Sequence, residues 1–357
     1  MRDLTVMITG CSKHSKEIVD CLKQNEDGRQ VKVAAVNMDV NKLLQHGTDY
    51  QEVVPPITDP EYIPCLKEIC KELKVDVIIP YITAELGLLA HHKKEFEEIG
   101  VKVSVEAETV IAVLNDKESF YKRFNQYMPE QYSVVIPEDA LFFYKTFRKR
   151  GKKVCCKISG RCGGTGFCVI DNEKAHDITL FNRCGVNRYI TITDLVNIVG
   201  SGHKVIMQEY IEGVDYSVCV LANHGKIIAM KGYAGYDMEF GAVVNGEIID
   251  NEKAFEITEK IVAASALDGN LCFDFILPGI TADSSYLEKK EADAKLLECN
   301  PRINASIGFC WHAGANLAYL RCKQLMGELT ALDIANANSG HKEGLRMQKY
   351  YESEYYL

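Results

Sequence analysis

A chain of 357 residues is too long for one small hydrophobic core and implies two or three packed domains. Hydrophobic residues at 47% and charged residues at 25% describe a globular protein, and a formal net charge of −9 excludes a general nucleic-acid binder, which needs basic stripes to displace counterions. The fourteen cysteines are scattered with no CxxC pair, the N-terminus enters a strand pattern without a signal peptide, and no apolar run reaches membrane-spanning length; together these predict a cytoplasmic protein with reduced thiols.

In chain order, strands are predicted at 4–9, 31–37 and 75–81, alternating with helices at 15–23, 60–73 and 84–98, and a short strand follows at 101–103. Such alternation implies a parallel sheet with helices on both faces. A helix is predicted over 117–127, and Pro129 and Pro137 bracket a short connection. The brief basic run from Lys145 to Lys153 reads as a solvated helix end. Strands at 154–158 and 166–170 flank the glycine-rich tip Ser159-Gly160-Arg161-Cys162-Gly163-Gly164-Thr165. Further strands fall at 205–211, 217–222 and 226–231, the last two joined by the turn Asn223-His224-Gly225. A helix capped by Asn251 runs to Leu267, strands at 271–277 and 295–299 enclose a polar insertion, and a last helix covers about 315–326.

The strands at 271–277 and 295–299 carry the chemistry. Alternation places Cys272, Asp274 and Ile276 on one face, opposite Phe273, Phe275 and Leu277; on the partner strand, Leu296, Glu298 and Asn300 share a face opposite Leu297 and Cys299. Antiparallel pairing would bring Asp274, Glu298 and Asn300 to one side. Two carboxylates and an amide oxygen in an apolar hairpin are costly without compensation, and a hard divalent cation such as magnesium supplies it. Just beyond, Arg302 offers a planar fork for phosphate or carboxylate. A hairpin in which Arg302 merely neutralises Glu298 fits the spacing equally well.

The segment Leu297-Glu298-Cys299-Asn300-Pro301-Arg302 resembles the E-x-N-P-R segment of the ATP-grasp superfamily, especially the carbamoyl-phosphate synthetase large subunit and its stand-alone carboxylate–amine ligase relatives. The resemblance implies that Glu298, Asn300 and Asp274 bind magnesium and that Arg302 contacts phosphate or the activated oxyanion. Upstream, Gln208-Glu209-Tyr210-Ile211-Glu212-Gly213-Val214-Asp215-Tyr216-Ser217 is similar to the family's adenine-hinge and ribose segment. It implies that Gln208, Glu209 and the backbone at Tyr210 and Ile211 border adenine, and that Asp215 meets ribose. The tip with Gly163, Gly164 and Thr165 is similar to the loop that closes over the triphosphate, and Lys117 and Lys157 match the family's phosphate-contacting lysines.

The fold so implied is α/β plus α+β. An N-terminal Rossmann-like parallel-sheet domain at 1–114 precedes a two-lobed ATP-grasp domain at 115–330, with a lid at about 125–202, a metal-binding lobe at about 203–330 and a tail at 331–357. The implied cofactors are ATP and Mg2+, with Mn2+ as a substitute. The implied reaction activates a small carboxylate as an acyl phosphate for attack by an amine, in a chain without nucleic-acid or membrane partners and compatible with a homo-oligomer. The alternatives are phosphorylation of bicarbonate or carbamate, and an ATP-binding regulatory protein without turnover. A nicotinamide site after the first strand is disfavoured, because Gly10 stands without the second and third glycines of that fingerprint. Lys231, the segment 232–241 and the stretch Gly308-Phe309-Cys310-Trp311-His312 are weaker candidates for the acceptor pocket.

Overall fold

The computed structural model describes residues 2–43, 47–158, 166–176, 188–239, 242–339 and 342–350. The first sheet is wholly parallel and ordered β3–β2–β1–β4–β5, built from β1 (Leu4–Thr9), β2 (Val31–Asn37), β3 (Tyr50–Val53), β4 (Val77–Pro80) and β5 (Lys102–Val103). Its crossover helices are α1 (Lys16–Lys23), α2 (Tyr62–Leu73), α3 (Thr83–His91) and α4 (Lys93–Glu98). The single helix predicted over 84–98 is thus two, broken at His92. Gly10 ends β1 with φ +62, and a Cβ there would lie 2.9 Å from both Glu85 Oε1 and Ile82 Cγ1, so the turn is closed by packing rather than opened for a pyrophosphate.

Next come α5 (Glu108–Asn115) and α6 (Lys117–Phe124), which lead into a second sheet ordered β6–β10–β7–β8–β9. Its strands are β6 (Gln131–Val134), β7 (Lys153–Ile158), β8 (Phe167–Ile170), β9 (Tyr189–Ile190) and β10 (Val205–Tyr210). The helices α7 (Pro137–Lys149) and α8 (Ile192–Gly200) cover one face around Val134, Ala140, Phe147, Leu195 and Met207. Pro137 opens α7 at its first turn, where its missing N–H costs nothing, so the bracket expected to mark a connection starts a helix.

The third sheet is antiparallel throughout, ordered β15–β14–β11–β12–β13–β16. It comprises β11 (Gly213–Asn223), β12 (Lys226–Glu239), β13 (Ala242–Ile248), β14 (Gly269–Pro278), β15 (Lys295–Asn300) and β16 (Arg346–Gln348). On one face Val214, Tyr216 and Val218 meet Phe273, Phe275 and Leu277 beneath α9 (Glu252–Ala264), whose N-terminus the Asn251 side chain caps at Ala254 N, 2.8 Å away. A short α10 (Tyr286–Glu291) occupies the insertion between β14 and β15. The other face packs its Cys219, Leu221 and Cys272 against α11 (Ile307–His312), α12 (Leu317–Leu325) and the first sheet in one continuous core, with α13 (Ala331–Ser339) at its edge.

One expectation about β15 is corrected. Asp274 pairs with Glu298 but Phe275 with Leu296, so a β-bulge at Leu297 breaks the alternation. Leu296 therefore enters the same core as Cys299 instead of sharing a face with Glu298 and Asn300.

Candidate nucleotide and metal site

Where β11, β14 and β15 run past the buried thiols, the same face of the sheet turns polar. Ser217 lies opposite Asp274 in register and donates its hydroxyl to Asp274 Oδ1 at 2.7 Å. The Asn300 amide N–H group donates to Asp274 Oδ2 at 2.9 Å and Glu298 Oε1 at 3.2 Å, so the three expected ligands meet in one cluster. Burial, then the neighbouring Glu298 charge, pushes the Asp274 carboxyl up to about 7. Burial acts the same way on Glu298, but the charges of Lys117 and Lys157 outweigh it and hold that carboxyl below its ordinary value. Glu298 nevertheless keeps 39% of its side-chain surface open, which marks a cleft floor rather than a sealed core.

The donor set fits a divalent cation of the magnesium type. Two carboxylates press on each other with only an amide between them, and each is an oxygen donor of the kind a hard cation takes. A flip of the Asn300 amide would offer its oxygen as a third. Among the described residues no group of three or more His, Cys, Asp and Glu side chains competes for a metal.

Cations border the pair from three elements. Lys117 opens α6 behind the capping Asp116 and brings Nζ to 3.2 Å from Glu298 Oε2. Lys157 sits on β7 of the second sheet, and its charge reaches both Glu298 and Asp215. Arg302 follows β15 and donates from Nε to Thr83 Oγ1 at 3.1 Å, with its guanidinium carbon 5.9 Å from the Tyr81 ring centroid. Gly163, Gly164 and Thr165 lie outside the described residues.

The hinge residues divide. Tyr210 closes β10 and Ile211 follows it toward β11, leaving a strand end beside the cleft. Glu209 is ion-paired to Lys152 at 2.7 Å, and Gln208 is buried with its amide donating to Gln131 Oε1 at 2.9 Å, so both side chains brace the second sheet. Asp215 lines a cleft of about 510 Å³ with Glu212, Gly235, Tyr236 and Ile280. Burial raises its carboxyl, with Arg188 and Lys157 pulling the other way. Of the weaker candidates, Lys231 is buried within β12, where desolvation lowers its ammonium, and the Trp311 ring lies tilted against His312 with centroids 4.5 Å apart.

Sequence reasoning assigned no role to Ser217, Arg188, Thr83 or Ile276, although Ser217 closes the segment likened to the adenine hinge and Ile276 was placed on the face of Asp274. Ser217 was open to discovery, being two residues beyond Asp215 on the same strand face. Ile276 shares the face of Asp274 and is nearly buried, an apolar floor two residues along β14.

Residues 6–104 match the family model described as PylC-like, N-terminal domain, and residues 201–352 match that described as ATP-grasp in the biosynthetic pathway with Ter operon. The chain thus carries an ATP-grasp region in its C-terminal part behind a PylC-like N-terminal domain. Its fold is shared by N5-carboxyaminoimidazole synthetase from Staphylococcus aureus, at TM-score 0.62 and 13% identity over 92% of this chain and 78% of that one, also solved with ADP. It is likewise similar to biotin carboxylase from Campylobacter jejuni, at TM-score 0.60 and 16% identity over 92% of this chain and 71% of that one. The biotin carboxylase domain of the Hydrogenobacter thermophilus 2-oxoglutarate carboxylase, solved with MgADP and bicarbonate, matches at TM-score 0.60 and 15% identity over 93% and 71%. No curated protein matches the chain.

Proposed function

We propose that this chain is an ATP-dependent carboxylate–amine ligase. The observation that carries the reading is the convergence of Asp274, Glu298 and Asn300 from two paired strands with Lys117, Lys157 and Arg302 from three other elements. Asp274, Glu298 and Asn300 would hold magnesium, which when bound neutralises phosphate charge. Lys117 and Lys157 are suited to the terminal phosphates, and Lys117 exchanges its bond to Glu298 for one to a phosphate oxygen. The strand end at Tyr210 and Ile211 is suited to the adenine edge, Ile276 to its face, and Asp215 to the ribose hydroxyls. Glu209, already paired with Lys152, supports that strand end from behind.

A substrate carboxylate oxygen takes the γ-phosphoryl group, the bond from phosphorus to the bridging oxygen breaks, and ADP leaves. The amine then attacks the carbonyl carbon, phosphate departs, and the amine gives up a proton. Arg302, anchored at Thr83 at the start of α3 in the first domain, is placed to steady the oxygen charge in both steps. The protein contributes position and charge rather than a covalent intermediate.

The sheet boundaries support a division near residue 114, since α5 ends at Asn115 and α6 begins at Lys117. The second sheet, with strands from Gln131 to Tyr210, supports a lid that runs to about 210, because β10 pairs there with β6 and β7 rather than belonging to the lobe expected from 203. The twelve cysteines among the described residues are all free, which is consistent with a cytoplasmic setting, and among those residues no helix is long and apolar enough to cross a membrane.

Phosphate release with MgATP over pairs of small acids, bicarbonate included, and amines tests the proposal. Release that needs both substrates and disappears in Glu298→Gln is expected. Equal turnover by that variant would sink the metal assignment, and no turnover with any pair would favour a nucleotide-binding regulator.

A further inference from the structure

Two surfaces away from the nucleotide cleft carry unpaired charge of opposite sign, one beside exposed apolar side chains and the other beside a cleft with partly buried apolar walls. The first is on the second sheet and α7. Val135 and Ile136, just past β6, are 59% and 48% exposed, and Phe142 on α7 is 62% exposed. Lys145, Arg148 and Lys149 continue the same side of α7 at helical spacing, while Ala140 and Phe147 face the core. Among the described residues none of these three cations meets a carboxylate. The result is an apolar knob with a basic border.

The second surface is on the first domain. Ile57, Pro60, Ile63 and Leu88 line a cleft of about 420 Å³ together with Glu95, which engages both Lys67 and His92 of the same lining. Asp59 stands on its rim, and Glu61 and Glu68 flank it along α2 with no cation partner among the described residues. Their field is felt at Cys65, whose thiol is raised first by burial and then by Glu68, Glu52 and Glu61.

We propose that the knob centred on Phe142 seats in the Ile57–Leu88 cleft of a second copy of this chain, with Lys145, Arg148 and Lys149 facing that copy's Asp59, Glu61 and Glu68. Apolar surface meets apolar surface and cations meet acids. A chain of net charge −9 repels its own copies, so approach requires a locally basic face directed at an acidic one. Every copy carries both surfaces, so two reciprocal contacts close a two-fold dimer, and a single one extends a filament. An anionic membrane would satisfy the knob but would leave the acidic cleft without a role, and the overall charge opposes it.

Sedimentation velocity of the full chain across the micromolar range, at low and high salt, tests the interface. Self-association that weakens with salt is expected, and Phe142→Glu should reduce it by about tenfold or more. A Lys145→Glu/Lys149→Glu variant and a Glu61→Lys/Glu68→Lys variant should each stay monomeric alone and associate when mixed, because both contacts of the mixed pair are attractive. All the substituted positions are on the surface, and unchanged melting temperatures establish that the variants fold. A monomer at every concentration, association unmoved by Phe142→Glu, or mixed variants that remain apart would overturn the proposal. So would binding of a monomeric parent chain to phosphatidylserine-containing vesicles through Phe142.

Discussion

Glu85 shows how a single buried group can be read as a pH dependence. Its side chain is 1% exposed, it accepts from Thr9 Oγ1, and desolvation lifts its carboxyl from 4.5 to about 7. A carboxyl raised in the folded state favours folding while protonated, so its contribution is complete below the unfolded value near 4.5 and is lost as pH rises through about 7. The span corresponds to roughly 3 kcal/mol, an upper figure. Urea unfolding at pH 5 and pH 8 should therefore show a decline in the parent that Glu85→Gln lacks; parallel slopes would show that Glu85 keeps its ordinary acidity. At the cleft, Lys117→Met removes a charge that holds Glu298 ionised and should weaken MgATP binding by about tenfold or more. Calorimetric titration reads this directly, and an unchanged affinity would place Lys117 outside the phosphate contacts. The grouping of the cleft residues was partly visible beforehand. Asp274, Glu298 and Asn300 follow from strand parity, whereas the bond from Arg302 to Thr83 joins residues far apart in sequence and has no local signature.

Parity itself fails at one place, and the failure belongs to β15 as an element. A strand with strict alternation would put Leu296 beside Glu298 in the cleft. The bulge at Leu297 returns Leu296 to the core while Glu298 and Asn300 keep facing Asp274, so the hairpin buries its apolar residues without surrendering its ligands. An added residue in one strand leaves no mark in the hydrophobic pattern, which is why it escaped the sequence. Leu296→Ala should cost about 2–5 kcal/mol, as truncation of a fully buried leucine does, and Leu297→Ala less than about 1 kcal/mol. Denaturant titration separates the two, and equal losses would contradict the bulged register. Elements with a strong pattern, such as β1, β2 and α9, were legible to within a few residues. By contrast α7 was hidden behind Pro137, and β16 is three residues added to a sheet edge whose pairing only the tertiary fold supplies.

At the scale of the molecule, the first sheet and the third act as one body joined by buried charge. Arg321, 1% exposed, reaches Asp268 at 3.0 Å and Ser104 Oγ at 3.2 Å, and Asp268 N donates to Glu106. Arg29 meets Glu328, and Lys323 bridges Asp27 at 2.8 Å and Asp333 at 2.6 Å. Removing one member strands a buried partner, so Arg321→Ala should cost about 3–5 kcal/mol and separate the unfolding of the two sheets into two transitions, which calorimetry would resolve. A single transition at the parent temperature would show the junction to be dispensable. A rigid body beneath the second sheet suits the proposed reaction, which requires a carboxylate oxygen in line with a phosphate. That placement is tested most directly by isotope transfer. With the acid identified by phosphate release and labelled in its carboxylate oxygens, turnover should deliver one labelled oxygen into the released phosphate. Unlabelled phosphate, with product still formed, would show that ATP is cleaved without phosphorylating the acid.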